Sequence, residues 1–274
     1  MSDIVLSSGV RANLLQLQQT SDLISQTQTR LATGKRVNSA LDNPTNFFTA
    51  QSLNGRANDL NSLLDSIGIA QQTLQATNNG LTSITKLIQS AQATARQAQQ
   101  TTDTTERAAL ASQFDDVLTQ IDQLAGDSGF NGKNLLAGDT LTVTFNSDGS
   151  SKLAIAGVDD TTAGDLAIAA SVSWGDATAG DANIQIAVDD LTAALATVRT
   201  QSKAFGSSLS TVEVRQDFTK AMINTLQAGA DNLTLADSNE EGANLLALQT
   251  RQQLSTTALS LAAQADQNVL RLFQ

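Results

Sequence analysis

Residues 53–95 read LNGRANDLNSLLDSIGIAQQTLQATNNGLTSITKLIQSAQATA. A step of seven through them lands on Leu53, Leu60, Ile67, Leu74, Leu81, Ile88 and Ala95, apolar at every stop. A seven-residue apolar repeat keeps one stripe on one side of a helix, so the stretch predicts a helix zipped along a partner. Four residues after each stop, Ala57 and Leu64 are apolar but Gln71, Asn78, Thr85 and Gln92 are not, so the stripe is narrow. The helix is expected from about Thr45 to about Gln99. Asn78-Asn79-Gly80 is the place for a kink, since glycine costs a helix interior about 1 kcal/mol relative to alanine.

A second repeat answers the first. Ile184, Leu191, Val198, Phe205, Val212, Thr219, Leu226 and Leu233 again stand seven apart, with Val188, Leu195, Ser202, Leu209, Gln216, Ile223 and Ala230 between them. Two seams of similar length around a compact middle predict an antiparallel helical hairpin. A shorter helix lies between them. Asp103 followed by Glu106 reads as a capping box, Leu110, Phe114, Val117, Ile121 and Leu124 as one apolar face, and Gly126 as the stop. Beyond it the period falls to two: Leu141, Val143 and Phe145 alternate with threonines, Asn146 to Ser150 supplies a turn, and Leu153 and Ile155 return. Leu166, Ile168, Val172 and Trp174 are candidates for one or two further short strands.

The ends of the chain form a third pair. Val10, Leu17, Ile24 and Leu31 step by seven with Leu14 beside the first two, and Leu254, Ala258, Leu261, Ala265, Val269 and Leu272 follow three-four spacing. One stripe per helix buries too little to offset the ordering of both ends, so they are expected to order only when copies of the same pair surround them. The expected fold is mainly α: a long antiparallel hairpin or coiled-coil bundle with paired terminal helices and a small β excursion. Residues 1–44 and 236–274 make the terminal layer, 45–138 and 184–235 the bundle, and 139–183 the β region.

Composition excludes more than it suggests. Among 274 residues there is no His, Cys or Tyr, which removes His-based nucleophile systems, thiolate or imidazole metal sites and disulfides. The chain is therefore read as no enzyme, with no cofactor and no metal. A single Pro suits long helices, and 3% aromatics suit thin aliphatic seams. The net charge of −11 argues against nucleic acid and anionic membranes. Between Asp115 and Asp190 stand 13 acidic residues against Lys133 and Lys152, so that segment holds the whole imbalance. Such a middle reads as a solvated face. Gly129 to Lys133 resembles a phosphate loop superficially, but no Ser or Thr follows Lys133 and a helix precedes it. Asp148-Gly149 and Asp159-Asp160 lack calcium-loop spacing. Asn232-Leu233-Thr234 is a glycosylation sequon placed on a helical seam. The N-terminus shows no basic segment or apolar run of a cleaved export signal, which by itself suggests a cytoplasmic protein.

Arg11-Ala12-Asn13-Leu14-Leu15 and the run Leu31-Ala32-Thr33-Gly34-Lys35-Arg36-Val37-Asn38-Ser39-Ala40-Leu41-Asp42-Asn43 resemble the N-terminal signature of bacterial flagellins. Gly129-Phe130-Asn131-Gly132-Lys133-Asn134-Leu135-Leu136 is similar to the segment closing that family's N-terminal region. Gln249-Thr250-Arg251 and the run Ala262 to Leu270 are similar to its C-terminal helix. The resemblance covers about residues 1–138 and 184–274. It implies an extracellular subunit that self-assembles into the helical flagellar filament, leaving through the flagellum's type III export apparatus without a cleaved signal. Implied partners are copies of the chain, the hook-associated junction and cap proteins, and an export chaperone. The terminal helices would form the inner tube, with Val10, Leu14, Leu17, Ile24, Leu31, Leu254, Leu261, Val269 and Leu272 at the polymerisation interface. The intrachain seam would be Leu53, Leu60, Ile67, Leu74, Leu81, Ile88, Leu191, Val198, Phe205, Val212 and Leu226, and Gly34 to Pro44 the spoke between layers.

Three rival readings stand beside this one. The hook–filament junction protein shares both terminal signatures, and Pro44 after Asp42-Asn43 leans towards it, whereas the tail Val269-Leu270-Arg271-Leu272-Phe273 is more like a filament subunit. A flagellin-like surface-binding protein would need aromatic platforms, and the middle offers Phe145 and Trp174. Membrane-active termini would be Lys-rich on their polar faces, but these are rich in Gln, Ser, Thr and Asn. Flagellins sensed by the innate immune flagellin receptor carry an arginine and then a glutamate on their contact helix. Ser90 and Ala93 occupy the matching places, so a reporter-cell assay is expected to give weak or no response, and a full response contradicts this.

Overall fold

The computed structural model describes residues 8–272, with side chains described for all of these except Asp266 and residues 269–272. The elements in order are α1 (Ser8–Thr33), α2 (Pro44–Gln100), α3 (Thr104–Asp127), β1 (Leu141–Thr144), β2 (Lys152–Ile155), α4 (Gly180–Thr234) and α5 (Ser238–Leu272). Long helices packed on one another with a two-stranded antiparallel sheet are the mainly α hairpin that the heptads predict. The chain divides into two compact units. One comprises 1–56 and 225–274, the other 57–224.

The unit of residues 57–224 is built on α2 and α4. Ile67, Leu74, Leu81, Ile88 and Ala95 are buried against a core that includes Ile184, Leu191, Val198, Phe205 and Val212. The second buried row of α2 is not the one four residues on. It is Ala70, Thr77, Ile84, Ala91 and Ala98, three residues on. The polar places lie at the solvent rim and bond across to α4: the Gln71 side-chain amide donates to Glu213 at 3.4 Å, Gln92 to the Thr192 hydroxyl at 3.1 Å, and Gln99 to Gln185 at 2.9 Å. Numbers that rise on one helix and fall on the other make the pair antiparallel. Gly80 sits inside an unbroken helix, and its role is close approach. A Cβ there would meet the Ser128 hydroxyl and lie 2.8 Å from Leu136.

Helix α3 begins at Asp103, whose carboxylate accepts from the Thr105 and Glu106 amides at 2.8 and 3.4 Å. The capping box does not close: Glu106 takes the Thr101 hydroxyl, and that hydroxyl oxygen accepts the Asp103 amide. The buried face is Leu110, Phe114, Leu118, Ile121 and Ala125, so Leu118 and Ala125 are central where Val117 and Leu124 were expected, and those two are partly buried beside them. The helix runs one residue past Gly126 to Asp127. Arg107 is buried at its start. Its guanidinium donates to the Ala98 and Thr101 carbonyls at 3.2 and 2.7 Å and pairs with Asp181, tying the open C-terminus of α2 to α3 and α4.

The strands pair as the alternation requires, Leu141 opposite Ile155 and Val143 opposite Leu153. Val143, Phe145 and Ile155 face the core, and the Arg215 guanidinium lies 5.3 Å over the Phe145 ring. The further strands do not form. Leu166, Ile168 and Trp174 are buried, but from a loop, while Val172 is exposed. Two α3 carboxylates seven residues apart hold that loop in place. Asp122 accepts the amide and hydroxyl of Thr162 at 2.6 and 3.0 Å, and Asp115 accepts those of Ser171 at 2.7 Å each. Backbone groups satisfied by side chains do not need a ladder. Trp174 stacks tilted on Phe114 with centroids 4.8 Å apart.

Candidate assembly surface

The unit of residues 1–56 and 225–274 pairs α1 with α5. On α1 the buried or half-buried row is Val10, Asn13, Leu17, Thr20, Ile24, Thr27 and Leu31. On α5 it is Glu241, Leu245, Leu248, Gln252, Ser255 and Leu259. Both rows alternate steps of three and four, as two helices meeting along their length require. Arg30 and the buried Glu241 form an ion pair at 3.0 Å inside the row. Asn13, Thr20, Thr27, Gln252 and Ser255 make this a thin, half-polar seam.

Between α1 and α2 the signature residues build a compact turn. Gly34 takes φ +67°, the left-handed region that glycine adopts without strain. Its carbonyl accepts the Ala236 amide at 3.0 Å, and the Arg36 amide donates to the Thr234 carbonyl at 2.7 Å, stapling the segment to the end of α4. Asp42 accepts the amides of Asn38 and Ser39 at 3.0 and 2.9 Å, and those bonds hold its carboxyl below the usual range. Asn43 caps α2 through the Asn46 amide at 3.0 Å, and Pro44 stands at the first helical position, where its missing N–H costs nothing.

Of the residues expected at a polymerisation interface, the structure puts Val10, Leu17, Ile24 and Leu31 on the row that α1 shares with α5 in the same chain. Leu14 is exposed, with Leu15 and Leu23, which the spacing did not single out. On α5, Leu254 and Leu261 are 67% and 62% exposed, and Leu246, another residue missed, is 67% exposed. The described side chains do not reach Val269 and Leu272. Leu41 and Phe48, in and after the turn, also face outward. Their signal was present in the sequence: leucines off the main repeat have no partner within a two-helix pair. Of the expected seam residues, Leu60, Ile67, Leu74, Leu81, Ile88, Leu191, Val198, Phe205, Val212 and Leu226 are buried and Leu53 is half-buried. Ser90 and Ala93 lie exposed on α2. Among the described residues no group of acidic side chains is placed to hold a metal, and no helix is long and apolar enough to cross a membrane.

Comparison with known proteins covers both helices of this pair. Residues 7–140 match the family model of the bacterial flagellin N-terminal helical region, and residues 187–273 that of the C-terminal helical region. The chain belongs to the bacterial flagellin family. It is 33% identical to flagellin FljM of Caulobacter vibrioides over 277 residues, covering 100% of this chain and 99% of that one. Flagellin FljO of the same organism is 32% identical with the same coverage, and the flagellin of Brucella melitensis is 23% identical over the full length of both. This flagellin is accordingly a structural subunit of the bacterial flagellar filament, and the middle of its chain is the part that neither family model spans.

Proposed function

We propose that residues 1–44 and 236–274 form the inner tube of the filament, with the helical bundle of 45–138 and 184–235 outside it and 139–183 facing solvent. The observation that carries this is the pair of exposed apolar rows, Leu14, Leu15 and Leu23 on α1 and Leu246, Leu254 and Leu261 on α5. Each added subunit covers the rows of its neighbours, so the thin α1–α5 seam, formed within one chain, is reinforced by assembly. Contacts between unlike faces propagate without closing, which gives an open helical polymer. The chain acts without catalysis or cofactor. It leaves the cell through the type III export apparatus with an export chaperone and without a cleaved signal, and meets the junction and cap proteins at the two ends of the filament. Seeded polymerisation of the purified chain, viewed by negative-stain microscopy, tests the subunit reading. Filaments that lengthen with added protein are expected; growth that stops at short caps assigns the junction role instead.

A further inference from the structure

Away from the terminal rows, the unit of residues 57–224 carries its charge unevenly. A groove of about 290 Å³ opens between α2 and α4, walled by Thr82 and Thr85 on one side and Arg199, Ser202 and Lys203 on the other. Lys86 stands exposed beside it, one residue past Thr85 and one turn past Thr82. Among the described residues Lys86, Arg199 and Lys203 take no ion pair or side-chain hydrogen bond. Two of these cations, Arg199 and Lys203, line one opening in a chain whose net charge is −11.

Part of the acid lies across the unit, on α3. Thr85 and Gly80 are about 140° apart around α2 at about 100° per residue. Gly80 is the side on which Ser128, the C-cap of α3, packs. The groove and α3 therefore flank the α2–α4 pair from different sides. The outer row of α3 holds Asp116 and Asp127, exposed and eleven residues apart on one face. Asp115 and Asp122 are occupied by the loop, but Asp116 and Asp127 have no partner among the described residues.

We propose that the Arg199–Lys203 groove of one subunit docks the Asp116–Asp127 face of a neighbouring copy. The proposal rests on the reading of the chain as a self-polymerising subunit and adds the chemistry of a lateral contact to it. A cationic groove and a separate acidic row on one molecule make unlike faces meet, so the contact repeats from copy to copy. It also sets cations against the like-charge repulsion that subunits with a −11 excess exert on one another.

Two double variants of the full chain test this, Arg199→Glu with Lys203→Glu, and Asp116→Lys with Asp127→Lys. All four sites are exposed, and a melting curve matching the parent's confirms that each variant folds. The readout is the subunit concentration at which seeded filaments stop shrinking, by sedimentation, at low and high salt. Each variant alone is expected to raise it about tenfold at low salt, with the difference shrinking once salt screens the contact. An equimolar mixture is expected to recover most of the loss, because each reversed face then meets its complement. Parent-like assembly of either variant at low salt overturns the contact, as does a mixture no better than its components. If the parent chain itself does not grow on seeds, the subunit reading falls and takes this contact with it.

Discussion

A chain carrying Leu261→Asp is expected to keep the helix content and melting curve of the parent monomer and to form no filaments. Leu261 is 62% exposed on α5 and lies off the row that faces α1, so a carboxylate there meets water in the monomer and costs the fold little. In the filament the same position would be closed over by a neighbour. A buried, unpaired carboxylate costs several kcal/mol at every subunit, and a helical polymer repeats the cost without end. Leu254→Asp should behave alike. Leu17→Asp should also prevent filaments but differ in the monomer, since Leu17 is half-buried on the α1–α5 row and the variant should lose terminal helix by circular dichroism. Filaments of ordinary length from Leu261→Asp, by negative-stain microscopy, remove α5 from the polymerisation interface. Equal loss of monomer helix in all three variants contradicts the division between inner and outer rows.

That division is where the sequence ran short. The step of seven through Leu53 to Ala95 located α2, its partner α4 and the antiparallel hairpin, because large aliphatic residues at that period have no other reading. It did not locate the second row. Ala70, Ala91 and Ala98 are small, and Thr77 is polar, so nothing in their identity favoured them over the places four residues on. Only the packed helices show that these alanines are the buried row, while Gln71, Gln92 and Gln99 bond across the rim. The terminal pair was misleading in a related way. Leu254 and Leu261 form the stronger apolar stripe, yet the row facing α1 mixes Leu245, Leu248 and Leu259 with Glu241, Gln252 and Ser255. The better hydrophobic face is thus the outward one, which is the face the proposed tube would use. The loop after β2 was read as strand because Leu166, Ile168 and Trp174 are apolar. Their burial comes instead from Asp115 and Asp122, whose pairing with Ser171 and Thr162 spans 40 or more positions of sequence and leaves no local pattern.

Asp160 is the clearest case of chemistry hidden in a pattern. In a stretch rich in aspartate it looks like solvated surface, yet it has no exposed area, and neither carboxylate oxygen has a partner that meets hydrogen-bond geometry. Facing it from α4 is Gln201, itself buried with an unpartnered side-chain oxygen, and beside it on its own loop are Asp159 and Asp165. Burial, with a further push from those two acids and against the pull of Gln201, moves the Asp160 carboxyl up from 3.8 to about 6. The folded chain thus holds the proton to higher pH than the unfolded chain does. The stability linked to this group is fully present below the unfolded value and is lost as pH rises through about 6; above that the cost is constant. Two pKa units correspond to about 3 kcal/mol at neutral pH. Asp160→Asn removes the titration and offers an amide donor to the Gln201 oxygen, so it should stabilise this unit by up to about 3 kcal/mol at about pH 7.5 and by much less at about pH 4. Trp174, the single tryptophan and buried in the same unit, reports the unfolding by fluorescence in guanidinium. Asp42, Asp148 and Asp176, whose carboxyls are held low by amide hydrogen bonds, act in the opposite sense, losing their stabilisation as pH falls. They are common to both proteins, so the variant-minus-parent difference isolates Asp160. A difference that is destabilising at neutral pH, or that does not grow between those two pH values, means that Asp160 gives up its proton in the folded subunit as readily as in the unfolded chain, with Gln201 offsetting the cost of burying the anion.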